Sequence, residues 1–168
     1  MKYSLEFDRV VIPLKDENNL TVGVTMRRCN EREKIKWLHK PRNIDTGNIL
    51  FNYNFVTGND VIITEGCFDV MRLWQFGIFN AEGCFGSHLT ETQESMLLKK
   101  YTNIMLAYDN DEKGIICTNK VIDRLKNKAN VTVLELGDIN DPGDIQSQEQ
   151  FNSLKQLKWY EWRKLHGF

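Results

Sequence analysis

In the stretch NIMLAYDNDEKG, residues 103–114, an apolar run from Ile104 to Tyr108 is followed at once by Asp109, Asp111 and Glu112. Carboxylates this close repel one another, so they need either open water or something positive to neutralise them, and a divalent metal is the candidate that could do chemistry. Taken alone, the stretch reads as a solvated turn, because Asp and Asn are favoured turn residues. Two other segments repeat the arrangement: Glu65 and Asp69 in IITEGCFDV, and Asp141 and Asp144 in INDPGDI.

The elements that must carry these acids are legible from periodicity. DVIITEG reads as a buried strand ending at Glu65, and DVMRLWQFG as a helix closed by Gly77. IFNAEGCFGS holds a short strand and a glycine-rich loop, and LTETQESMLLKKY opens with a capping box between Thr90 and Gln93. The strand before Asp109, a helix through IICTNKVIDRLKNK and the strand VTVLEL follow. Strands alternating with helices at this spacing predict an α/β fold with a mostly parallel sheet flanked by helices. In such sheets the functional crevice lies beyond the carboxyl ends of the strands. Glu65, Asp109 and the Asp141/Asp144 pair each follow a strand, so one rim can collect them all, which favours a metal site over three separate turns.

Residues 1–58 read differently, as a small strand-rich basic unit. A strand over Tyr3–Leu14, turn chemistry in KDENN and a second strand in LTVGVTMRR make a hairpin of residues 1–28; IKWLHK and ILFNYNF add further short strands around the loop PRNIDTGN. The α/β unit spans 59–148. In residues 149–168, Phe151, Leu154, Leu157, Trp162 and Leu165 fall near helical spacing and predict a C-terminal helix packed on the sheet.

The net charge of −1 is unevenly distributed. Between residues 27 and 42 seven bases (Arg27, Arg28, Arg32, Lys34, Lys36, Lys40 and Arg42) face two acids, whereas residues 60–150 hold fifteen acids and eight bases. A basic strip beside an acidic centre suits phosphates held by one and metals held by the other. No apolar run approaches the length needed to cross a bilayer, and MKYSLEFDRV lacks the apolar core of a signal peptide, so a cytoplasmic protein without membrane contact is expected. The four cysteines form no C-x-x-C pair, which speaks against a zinc ribbon or a disulfide framework and for reduced, partly buried thiols.

Together, ITEGCFDVMRL, GCFGSHLT, LAYDNDEKG and DPGD resemble the Toprim domain over about residues 60–148. The order E-G-x-x-D, then D-x-D after an apolar strand, then D-P-x-D, is specific in combination. The basic segment FDRVVIPLKDENNLTVGVTMRR, with KWLH and NILFNYN, resembles the strand-rich unit that precedes Toprim in bacterial and phage primases of the DnaG type. The resemblance implies Glu65, Asp109 and Asp111 as catalytic and metal-binding acids, with Asp69, Asp141 and Asp144 completing the metal set. Arg9, Arg27 and Lys36 fall where the family holds template or nucleotide phosphates, and Arg28 and Lys40 extend the same strip. Trp37 replaces the usual Tyr, Phe51 replaces the Tyr of the last segment, and Thr46 stands where a Lys is usual.

What the resemblance implies functionally is primer synthesis on single-stranded DNA, by attack of a 3′-hydroxyl on the α-phosphate of a nucleoside triphosphate with Mg2+ or Mn2+ as cofactor. Glu65 is then a metal ligand or a general base; both roles stay open. Trp37 is either a stacking platform for a base or a core residue. The family's zinc-binding and helicase-binding parts have no counterpart in this sequence, so a reduced or split primase core of phage or mobile-element type is expected, with a replicative helicase or a second primase subunit as partner. Two rival readings are a Toprim metal-dependent nuclease and a non-catalytic nucleic-acid-binding subunit.

Overall fold

The computed structural model describes residues 1–168, which form two sheets joined by a linker. The first is antiparallel, with β1 (Lys2–Ser4), β2 (Arg9–Lys15), β3 (Thr21–Arg28) and β4 (Trp37–Lys40) lying side by side in that order. Asp16 organises the β2–β3 turn by accepting the backbone N–H groups of Asn18 and Leu20, each at 2.9 Å. The strand expected over Tyr3–Leu14 is in fact two strands. Asp8, at φ 47°, turns the chain between them, in a left-handed conformation that Asp tolerates better than most residues.

The second sheet comprises β5 (Asp60–Thr64), β6 (Ala81–Gly83), β7 (Asn103–Ala107), β8 (Asn130–Glu135) and β9 (Lys155–Lys158), in the order β6-β5-β7-β8-β9. Its first four strands are parallel and β9 is antiparallel. Helices α1 (Cys67–Gln75), α2 (Glu91–Lys100) and α3 (Glu112–Leu125) are the crossovers. Alternation along β5 sends Val61 and Ile63 into one core with Leu97, Val121 and Ile122, and Ile62 into the other with Val70 and Leu73. Both faces are therefore covered, as the apolar strands require. No helix is long and apolar enough to cross a membrane.

Local signals behave as their chemistry predicts. Thr90 accepts the N–H of Gln93 at 3.1 Å while Gln93 accepts that of Thr90 at 3.0 Å, and α1 is followed by Gly77 at φ 78°. Two elements differ from expectation. ILFNYNF is no strand: Asn52 turns to φ 76°, and only Phe51 pairs, with Gly83 at the edge of β6. Residues 149–168 are no single helix either. They divide into the end of α4 (Gln148–Ser153), strand β9 and α5 (Trp159–His166). Leu157, counted toward a helical stripe, instead pairs with Val133 across the sheet, because β8 had an open edge to fill.

Buried Gln93 ties the linker to the second sheet. Its amide donates to the carbonyls of Ile49 at 2.8 Å and Cys84 at 2.9 Å, and Thr90 Oγ1 donates to Gly47 O at 2.6 Å. The four cysteines are unpaired thiols, with Cys67, Cys84 and Cys117 buried.

Candidate metal and phosphate site

The carboxyl ends of β5 and β7 open into a cleft of about 670 Å3 between the two sheets. Glu65, Asp69, Asp109, Asp141 and Asp144 line one wall; Arg27, Lys36 and Trp37 line the other. Parallel pairing aligns Thr64 with Ala107, so Glu65 and Asp109 leave the sheet as neighbours. Asp69 lies in the first turn of α1 and accepts the N–H of Gly66 at 2.9 Å. Asp141 and Asp144 flank a short 3-10 turn, Pro142–Asp144, which is drawn to α1 by Arg72 Nε donating to Gly143 O at 2.8 Å.

Asn110 joins the β7 and β8 ends. Its backbone N–H donates to Asn140 O at 2.6 Å, and its side chain donates to Gly137 O at 2.8 Å. Sequence reading missed Asn110 and Arg72 because a polar residue in an acidic loop gives no sign of the carbonyl it will reach. Lys113, which also faces the cleft, was legible only as part of the EKG turn.

None of the protein's ion pairs involves a cleft carboxylate. Burial, reinforced by Asp109 and Asp111, pushes Glu65 up to about 7, against the pull of Lys113 and a backbone N–H of Asp109. Burial also raises Asp69 to about 7, with Asp109, Asp141 and Glu65 adding repulsion. Asp109 rises to about 6 through burial and the charges of Asp141 and Asp111. The wall is thus short of positive charge.

Asp111 stands slightly apart, exposed and accepting the N–H of Gly114 at 2.7 Å as the cap of α3. No three His, Cys, Asp or Glu side chains converge to hold one ion. Such an open, oxygen-only rim does not suit the closed cage of structural zinc. It fits a Mg2+-like cation, which keeps several waters and shares its remaining positions between one or two carboxylates and substrate phosphates.

The basic residues part company. Arg27 lies 5.0 Å from the Trp37 ring centre and 5.8 Å from that of Phe68, linking β3 and β4 to the start of α1. Trp37 is half-buried and packs on Phe68 at 5.6 Å. Arg9, by contrast, is only 2 % exposed and donates to Ile35 O at 2.8 Å and Lys36 O at 3.4 Å. A group so enclosed supports the segment carrying Lys36 and is not itself free to meet a phosphate. Arg28 bonds the carbonyl of Glu33, and Lys40 lies 3.9 Å from the Phe7 ring centre; neither lines the cleft.

A parallel sheet whose strand ends present acids to a basic wall defines a class of protein built for phosphate chemistry. The chain belongs to the Toprim-like family, whose pattern matches residues 62–146, in its DNA primase branch. It is 25% identical over 159 residues to the DNA primase of Campylobacter jejuni, covering 89% of this chain and 26% of that one. It therefore spans about a quarter of the length of that relative.

Among solved structures, the Aquifex aeolicus primase, comprising zinc-binding and RNA polymerase domains, superposes with a TM-score of 0.73 at 28% identity, over 89% of this chain and 41% of that one. A DnaG primase catalytic domain bound to single-stranded DNA shares the fold, with a TM-score of 0.75 at 20% identity over 95% of this chain and 56% of the other.

Proposed function

We propose that the chain is the metal-dependent nucleotidyl-transfer core of a DNA primase, extending primers on single-stranded DNA from nucleoside triphosphates. The observation carrying this reading is the opposition, across one cleft, of unpaired acids and the Arg27–Lys36 wall. Glu65 and Asp109 supply the oxygen donors for Mg2+ or Mn2+, while Asp69, Asp141 and Asp144 add negative charge around them. When bound, the metal lowers the pKa of the attacking 3′-hydroxyl and balances charge on the leaving oxygen. Arg27 and Lys36 hold phosphates of the nucleotide or template, and Trp37 keeps Arg27 in place by stacking.

Primer synthesis on single-stranded DNA with labelled nucleotides and Mg2+ or Mn2+ tests the reading, with Asp109→Ala plus Asp111→Ala as control. Metal-dependent products that the double substitution removes support it. Template degradation would point to a nuclease, and binding without products to a regulatory or split-enzyme subunit.

A further inference from the structure

The cleft wall contributed by the first sheet carries a polar pair that the reading above does not use. Thr25 and His39 are directly opposed across β3 and β4, one pair along from Arg27 and Trp37. Side chains two residues apart on a strand share a face, so all four point to the cleft, and all four line it. Thr25 is fully buried, and neither its Oγ1 nor the Nδ1 of His39 has a hydrogen-bond partner, though both atoms are shielded from solvent. Buried polar groups are nearly always satisfied, and exceptions cluster at functional sites.

A small rotation lets Thr25 Oγ1–H donate to His39 Nδ1, since directly opposed residues sit about 5 Å apart. The proton of a neutral imidazole is then on Nε2. Burial lowers the basicity of His39, which keeps the ring neutral. Nε2 is neither shielded nor bonded within the protein, so it is the atom left to meet a ligand. A neutral donor suits a hydroxyl better than a phosphate, for which Arg27 and Lys36 are already at hand. One strand pair along is roughly 7 Å, comparable to the span from the 5′-phosphate of a nucleotide to the hydroxyl edge of its sugar.

We propose that His39, oriented by Thr25, reads the sugar hydroxyls of the bound nucleotide and so favours ribonucleotides over 2′-deoxynucleotides. His39 is thus a specificity-determining residue and Thr25 a positioning residue. The inference rests on nucleotide binding in this cleft.

Calorimetric titration with ATP, 2′-deoxy-ATP and pyrophosphate, in the presence of Mg2+, separates the two ideas. The wild type is expected to bind ATP more tightly than 2′-deoxy-ATP by a factor of roughly 3 to 10, the yield of one neutral hydrogen bond. His39→Ala should erase that ratio and leave pyrophosphate affinity unchanged. Thr25→Val should weaken the ratio, and His39→Gln, whose amide reaches a similar point, should restore most of it. If Thr25→Val fails to fold, the two His39 variants decide alone. Equal wild-type affinities, or a ratio untouched by His39→Ala, overturn the sugar-reading role and leave nucleotidyl transfer standing. Binding of neither nucleotide overturns both.

Discussion

The carbonyl oxygen of Asp109 lies 2.0 Å from the point that a Cβ on Gly114 would occupy. Helix α3 can therefore start this close to the end of β7 only because residue 114 has no side chain. A methyl there meets backbone rather than a flexible side chain, so Asp109 must move. Gly114→Ala is expected to cost about 1–3 kcal/mol, the usual range for overpacking, and to weaken Mg2+ binding. Urea denaturation and a Mg2+ titration check this; unchanged values in both would show that the contact relaxes freely.

The cleft acids make stability pH-dependent. Folding raises the pKa values of Glu65 and Asp69 to about 7 and that of Asp109 to about 6, so the folded state holds more protons than the unfolded chain. Stability is then greatest below the unfolded values near 4 and is lost as pH rises toward about 7. Metal-free protein should show a melting temperature that falls across this window. Adding Mg2+ should raise it at pH 7.5 and have little effect at pH 5, where protons compete. A Mg2+ response equal at both values would sink the carboxylate site.

Glu82 provides an internal control. It is fully buried on β6, takes a hydrogen bond from the Tyr101 hydroxyl, and is pushed by burial to about 7. Glu82→Gln should flatten part of the same pH slope while leaving the Mg2+ response intact, since Glu82 is outside the cleft. Thermal melts with and without metal separate its contribution from that of Glu65→Gln.

The basic residues should divide by burial. Arg27→Ala and Lys36→Ala are expected to lower affinity for single-stranded DNA and to reduce the slope of log K against log salt by about 0.7 each. Arg9→Ala should instead destabilise the fold, since it strips the carbonyls of Ile35 and Lys36 of a donor buried beside them. Fluorescence anisotropy at several salt concentrations, alongside melts, distinguishes the groups. A salt-slope change for Arg9→Ala without loss of stability would contradict the burial argument.

Gln93 should matter out of proportion to its distance from the acids. Gln93→Met keeps the volume but leaves the Ile49 and Cys84 carbonyls without their donor, at about 1–3 kcal/mol per buried unsatisfied group. A denaturation midpoint unchanged from wild type would mean that water replaces the amide.

Much of the site was legible because its information is local. Apolar runs of strand length, a capping box at Thr90 and a glycine at 77 mark the elements of the α/β unit, and alternation of strands with helices puts Glu65 and Asp109 on one rim. The fates of individual side chains were less legible. Asp111 looks like an equal partner of Asp109 in the sequence, yet one residue's difference in position makes it the cap of α3. Arg9 looks like one more base in a strip, yet its strand position turns it inward beneath residues 35 and 36.

The sequence by itself determined the parallel sheet, the order of its crossovers and the gathering of acids at its carboxyl edge, because hydrophobic period and strand polarity require no knowledge of distant partners. Only the tertiary structure decided that β9 would complete the sheet in place of a longer helix, that Arg27 and Lys36 would face those acids, and that Thr25 and His39 would share the same wall. Those outcomes depend on which edges and faces meet across a long separation in the chain. That choice is made by the total burial and hydrogen bonding of the assembled core, not by any one segment's own preference.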